Sequence, residues 1–242
     1  MLTDILFYLR EYFFPSGCAG CGKEILNPED SHYGLCGDCR AFLKRALSVE
    51  KRCGICGKPL ISEKETCLSC RAADTAASGS YNEHIAKLRV LFPYTGKFKA
   101  ILGAYKFEKS LGVGNFLAEC LAAATGNIEA IWVPVPPRPG KIKKQGWDQI
   151  EYLARRLDKN RRYSGRPVCR CLKRLSSRSQ KELNRLQRKS NLKGRILCAR
   201  QPPRNAIIFD DVVTTGATLN ACAKALLEGG AEKVFAVCLF YD

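Results

Sequence analysis

Ile207-Ile208-Phe209-Asp210-Asp211-Val212-Val213-Thr214-Thr215-Gly216-Ala217-Thr218 is the stretch from which the fold is read. The apolar run over 206–209 predicts a buried strand. Two acids follow, then a turn of small hydroxyl and glycine residues that opens a helix, predicted over 219–227 and ended by Gly229-Gly230. Backbone amides at such a helix start, helped by the Thr214, Thr215 and Thr218 hydroxyls, hold a phosphate without any cation. Gly216 lets the backbone approach that phosphate closely. Asp210 and Asp211 stand at the carboxyl end of the strand, where α/β proteins bind ligands. Carboxylates beside a phosphate cradle suit a sugar diol, because aspartate accepts two hydroxyl hydrogen bonds.

Outward from this stretch the pattern alternates. Residues 233–240 read as a last strand, and 85–94 contains a strand-like run. Helices are predicted over 96–107 and 111–124, with a split near Gly112 and Gly114. Residues 130–135 form a short apolar run that meets Pro134, Pro136 and Pro137, so a buried strand passes there into a loop. A further helix is predicted over 147–157. Strands alternating with helices imply an α/β layer around a parallel sheet. The chain has 242 residues, 46% hydrophobic and 26% charged, which fits one large or two small domains with a packed core. Disorder, collagen, coiled coil and a secreted mini-protein are excluded.

The formal charge is +17, and its position says more than its size. Residues 138–200 hold 21 basic and 4 acidic side chains, which accounts for the whole excess; the remainder is balanced. Such a block attracts a polyanion: nucleic acid, a pyrophosphate-bearing ligand or an anionic surface. Apart from the helix over 147–157 and a short helix near 181–189 it reads as a long polar loop.

Fourteen cysteines are used in two ways. Eight form four Cys-x-x-Cys pairs: Cys18/Cys21, Cys36/Cys39, Cys53/Cys56 and Cys67/Cys70. Two thiolates on a tight turn hold one side of a tetrahedral zinc, and a second pair closes the site. The 14 residues between the first two pairs, and the 10 between the last two, suit zinc ribbons. Sequence neighbours sharing a metal is the simplest arrangement; first with fourth and second with third is the alternative. Four thiolates leave no position for water, so the zinc (Zn2+) is structural. Disulfides would need an exported protein, and no export signal is visible, so a cytoplasmic location is expected. The opening residues 1–14 read as a short amphipathic helix carrying Asp4, Arg10 and Glu11. It is too short to span a membrane, and no other stretch reaches the roughly 20 apolar residues required. Cys222 and Cys238 look like core packing, and His32 and His84 are isolated.

The Asp210–Thr218 segment resembles the 5-phosphoribosyl 1-diphosphate (PRPP) loop of type I phosphoribosyltransferases. The resemblance implies that Asp210 and Asp211 hold the ribose hydroxyls. It assigns the 5′-phosphate to the turn from Thr214 to Thr218, with Val212 and Val213 between. Magnesium (Mg2+) would enter through ribose and pyrophosphate oxygens. Purine-salvage members with a catalytic acid in this loop have aspartate where this chain has Thr214, which disfavours base-assisted purine chemistry.

A broader resemblance, to the ComF family, rests on several motifs in order. They are the amino-terminal zinc ribbon, Tyr105-Lys106-Phe107, Val133-Pro134-Val135-Pro136 and Gly146-Trp147-Asp148-Gln149, then Gln180 with Leu183, and Arg188-x-x-Asn191 followed by Gly194. It implies a type I phosphoribosyltransferase-like parallel sheet with helices on both faces over 81–242, preceded by a double zinc-ribbon domain over 15–71. Pro136, Pro137 and Arg138 would form the pyrophosphate loop. Lys141, Lys143, Lys144, Trp147, Gln149, Gln180 and Arg188 would belong to a basic hood, or contact nucleic acid, within a loop of about 138–200. The family's Arg-Gly-Phe-Asn-Gln appears here as Gln145-Gly146-Trp147-Asp148-Gln149, with a cation lost and an amide replaced by an acid. The implied function is binding of PRPP with magnesium in DNA uptake during natural transformation, with contact to single-stranded DNA. Two other readings are an active phosphoribosyltransferase of nucleotide metabolism with an unidentified acceptor, and a zinc-ribbon adaptor for a helicase.

Overall fold

The computed structural model describes residues 13, 16–68, 70–71, 83–126, 128–159, 165–175 and 196–242. The helix expected over 1–14, the linker at 72–80, the short helix near 181–189, and the candidates Gln180 and Arg188 lie outside the described residues, residue 13 excepted. In chain order the elements are α1 (Pro28–Tyr33), α2 (Gly37–Leu47), β1 (Lys87–Pro93), α3 (Gly96–Lys106), α4 (Leu111–Ala124), β2 (Ile131–Pro134), α5 (Lys141–Gln145), α6 (Gln149–Lys159), β3 (Leu172–Arg174), β4 (Ile196–Cys198), β5 (Asn205–Val213), α7 (Ala217–Glu228) and β6 (Lys233–Tyr241).

Four strands form a parallel sheet in the order β1-β6-β5-β2. A parallel bridge between Trp132 and Val168 extends it beyond β2. β3 and β4 pair antiparallel in a separate ribbon. Strand alternation sorts the side chains to two sides. Ile207, Phe209, Trp132 and Val237 pack against α2, α3, α4 and α6. Ala206, Ile208, Val133, Ala236 and Cys238 pack against α7 and the β3–β4 ribbon. Helices therefore cover both faces, as expected for this class of α/β sheet. Cys222 and Cys238 are buried in the second layer, as their apolar neighbours implied. Among the described residues, no helix is long and apolar enough to cross a membrane.

Differences from the sequence reading have local causes. The β5 strand runs past Phe209 through the acid pair to Val213. Gly112 and Gly114 do not separate helices; both lie in the first turn of α4. A Cβ on Gly112 would stand 2.7 Å from the Gly34 amide nitrogen, so its absence lets the α1 turn seat on α4. The basic block is not loop throughout: α5, β3 and β4 lie in it.

Ribbon residues Ile25, Leu35 and Leu43 are buried in the same core as Phe116, Leu117 and Leu121 of α4. Tyr33 donates to the Glu119 carboxylate across 2.8 Å. The second cysteine-bearing segment lies on β1, an outer strand of the sheet. Gly57 there has φ +71°, and a Cβ on it would lie 2.3 Å from the Leu88 carbonyl oxygen. Arg52 donates to the carbonyls of Val49 (3.0 Å), Gly57 (3.2 Å) and Val90. Arg89 donates to the Ala124 carbonyl at 3.0 Å, at the end of α4, and to the Leu47 carbonyl at 3.3 Å, at the end of α2. Carbonyls at helix ends carry partial negative charge, so they suit a guanidinium that has no acid nearby. Burial, and then the Arg89 charge, lower the Arg52 pKa to about 10.

Candidate functional site

At the carboxyl ends of β2 and β5 lies a cavity of about 590 Å³. It is lined by Asp210, Asp211, Val212, Thr214 and Thr218 from the β5–α7 connection and by Pro136, Pro137 and Arg138 from the loop after β2. Lys141, Lys144 and Gln149 also line it. The residues singled out from two distant stretches of sequence thus meet around one space. Val213 is buried in the core beside it, Thr215 and Gly216 form the turn, and Ala217 opens α7. Gly216 has φ +71°, a left-handed conformation that favours glycine, and α7 starts directly after it. A hollow of about 550 Å³ at the opposite end of β2 and β5 gathers no acid pair; Arg166 there donates to the Thr125 and Gly126 carbonyls.

Alternation along β5 gives the two acids different surroundings. Asp211 shares the side of Ile207 and Phe209, and there it meets α3 and α6. Its Oδ2 accepts from Gln149 Nε2 at 2.6 Å and lies 3.3 Å from Lys106 Nζ. Its Oδ1 accepts from the Val212 amide at 2.9 Å. Asp210 is on the α7 side, among Cys222, Cys238 and Arg174. Burial, with the Asp211 charge next, holds its carboxyl well above the ordinary aspartate range. Its Oδ1 accepts from the Asp211 amide at 2.9 Å.

Gln149, expected in the basic hood, is buried in the cavity wall. Its side-chain Oε1 accepts from Lys141, whose ammonium also binds Asp148 Oδ2 at 2.7 Å. Asp148 Oδ1 receives the Ile150 and Glu151 amides at 3.0 and 2.9 Å, so this acid caps α6. Aspartate and asparagine both cap helices well, which accounts for the acid standing where the family has an amide. Trp147 is half-buried, and its ring packs against Tyr105 and Tyr152 with centroids 5.6 and 5.5 Å away; it does not line the cavity. Tyr105 donates to the Gln149 carbonyl, and burial, then the Asp211 charge, raise its pKa. Lys143 is exposed on α5, outside the lining.

Two cations at the site were not singled out. Lys106 belongs to Tyr105-Lys106-Phe107, a quoted motif whose chemistry was not assigned. Arg174, in the basic block, also lines the cavity, and its Nε is buried with no hydrogen-bond partner among the described residues. The cavity wall therefore carries Lys106, Arg138, Lys141, Lys144 and Arg174 against Asp148, Asp210 and Asp211.

The eight paired cysteines form two tetrads, Cys18/Cys21/Cys36/Cys39 and Cys53/Cys56/Cys67/Cys70. Sequence neighbours share a site, which settles the pairing. In each tetrad the sulfurs lie within 4.8 Å of one another. Cys21 and Cys36 are 3.7 Å apart, and Cys56 and Cys67 are 3.6 Å apart. A zinc–sulfur bond of about 2.3 Å puts tetrahedral sulfurs about 3.8 Å apart, so the tetrads fit zinc. Burial pushes the Cys18 thiol up, but amides of Cys36 and Gly20 outweigh it and bring it down to about 7. Burial likewise opposes, and the Cys56 and Cys67 amides overcome it, at Cys53, which falls to about 6. Amides aimed at sulfur favour the thiolates a metal needs. Among the described residues, these tetrads are the only sets of three or more ligand atoms close enough to hold a metal together.

Two ribbon sites ahead of a parallel α/β sheet with an acid pair and five cations around one cavity define a modular class of protein, and comparison with known proteins narrows it. Residues 9–71 match the double zinc ribbon domain family. The chain is 27% identical to Competence protein ComFC of Streptococcus pneumoniae, over 87% of this chain and 88% of the relative. It is 26% identical to Competence protein ComFC of Bacillus subtilis, over 85% and 82%. With Competence protein F of Haemophilus influenzae it shares 26% identity over 92% and 95%. The likeness to the ComF family is thereby shown along most of the chain.

Proposed function

We propose that this chain binds PRPP with magnesium in the cavity between β2 and β5 and acts in DNA uptake during natural transformation, contacting single-stranded DNA. One observation carries the reading: an acid pair, Thr214 and Thr218 at a helix start, and five cations face a single cavity. A sugar phosphate with a diphosphate substituent needs each of these parts. Thr214, Thr218 and the amides of the turn hold the 5′-phosphate. Asp210 and Asp211 receive the ribose hydroxyls. Arg138, Lys141, Lys144 and Lys106 face the diphosphate, where they offset its charge. Magnesium entering with the ligand would supply further neutralisation of its charge. The DNA part draws on the printed names of the related competence proteins and on the excess positive charge of residues 138–200.

Titration of the zinc-loaded protein with PRPP and magnesium tests this. Wild type is expected to bind, and Asp211→Asn to weaken binding about tenfold to a hundredfold, the effect of losing a charged hydrogen-bond acceptor. Unchanged affinity in a folded Asp210→Asn/Asp211→Asn variant would remove the assignment. Release of pyrophosphate in the same titration, with acceptor panels added, separates a binding protein from a transferase.

A further inference from the structure

We propose that the rim formed by the α3–α4 connection and α5 is a stacking platform for single-stranded nucleic acid, with Phe107 as its aromatic face; this rests on the DNA-contact reading above. Phe107 follows Lys106 directly, so it stands one residue from a side chain that lines the cavity. It is 72% exposed and has no ring contact among the described residues. Leu111 at the start of α4 and Ile142 on α5 are also exposed, at 52% and 47%.

The two segments meet. Lys109 takes a left-handed conformation, φ +57°, that turns the chain between α3 and α4. Its ammonium donates to the Gln145 carbonyl at 3.3 Å, the last residue of α5. Gln145 and Lys144 line the cavity, so the joined segments form part of its rim. On this rim Phe107, Leu111 and Ile142 alternate with Lys106, Lys109, Lys143 and Lys144; the one acid in the α3–α4 connection is Glu108.

A single exposed apolar residue is ordinary, whereas three on adjoining segments mark a contact surface. The lysines decide its partner. Protein interfaces are depleted in lysine, while strands of nucleic acid need cations for phosphates and flat rings for bases. A duplex hides the faces of its bases, so an exposed phenyl ring selects single strands. Trp147, the aromatic first associated with nucleic acid, cannot fill this part, because Tyr105 and Tyr152 occupy its ring.

Fluorescence anisotropy of a labelled oligothymidine with the full-length, zinc-loaded protein tests the assignment. Phe107→Ala should weaken binding about fivefold to a hundredfold, the usual value of one stacked base, and Phe107→Trp should restore it. In Lys143→Ala the slope of log affinity against log salt should flatten by about 0.7, one phosphate contact. PRPP affinity should stay as in wild type in all three. Equal DNA affinity in wild type and Phe107→Ala would overturn the rim assignment and leave DNA contact standing. No binding by wild type at low salt would overturn both.

Discussion

Asp210 and Asp211 are neighbours in sequence, yet a strand of period two hands them to opposite layers. Asp211 has partners on both oxygens. Asp210 is held above its ordinary pKa by burial and by Asp211. The pH dependence of stability follows from that direction. An unfolded aspartate releases its proton near pH 4, whereas the folded chain retains it to a higher pH. Stability is therefore lost as pH rises from about 4 towards the folded pKa. Asparagine cannot ionise, so Asp210→Asn should be more resistant to urea than wild type at pH 7.5, and the two should converge near pH 4. A gap that is the same at both values would mean that Asp210 ionises normally. The sequence displayed both acids and the cradle after them, but not their inequality. That depends on Gln149 and Lys106, which stand 62 and 105 positions upstream of Asp211, and only tertiary packing brings them near.

Long periodic elements were legible for the same reason that they are stable. In α6, Ile150, Leu153, Ala154 and Leu157 recur at helical spacing and are all buried. The short elements of the basic block escaped. The α5 helix is Lys-Ile-Lys-Lys-Gln, with one apolar residue and therefore no period to detect, and left-handed glycines bound it on both sides. β3 and β4 are three residues each and pair across a separation no local pattern encodes. The cap of α6 gives a test at this scale. Asp148→Ala removes both the cap and the carboxylate partner of Lys141, and should cost about 1–3 kcal/mol in urea unfolding. Asp148→Asn keeps the cap and should recover at least half of that. Equal loss in both variants would assign the effect to the ion pair alone.

Across the whole molecule, cysteine spacing announced the ribbons but not their attachment. Ile25, Leu35 and Leu43 belong to the core of the α/β layer, so metal and fold are linked. Withdrawing zinc with a strong chelator should remove about 5 kcal/mol of burial and lower the melting midpoint by roughly 10–20 °C in one transition. Two separate transitions, with the upper one unmoved, would mean that the ribbons melt independently. The seat of Gly57 on β1 adds another consequence. Without that segment an outer strand would present a bare row of amides and carbonyls, a template onto which a second chain can add. Metal scarcity would then be felt first as molecules sticking together border to border, before any loss of ligand recognition.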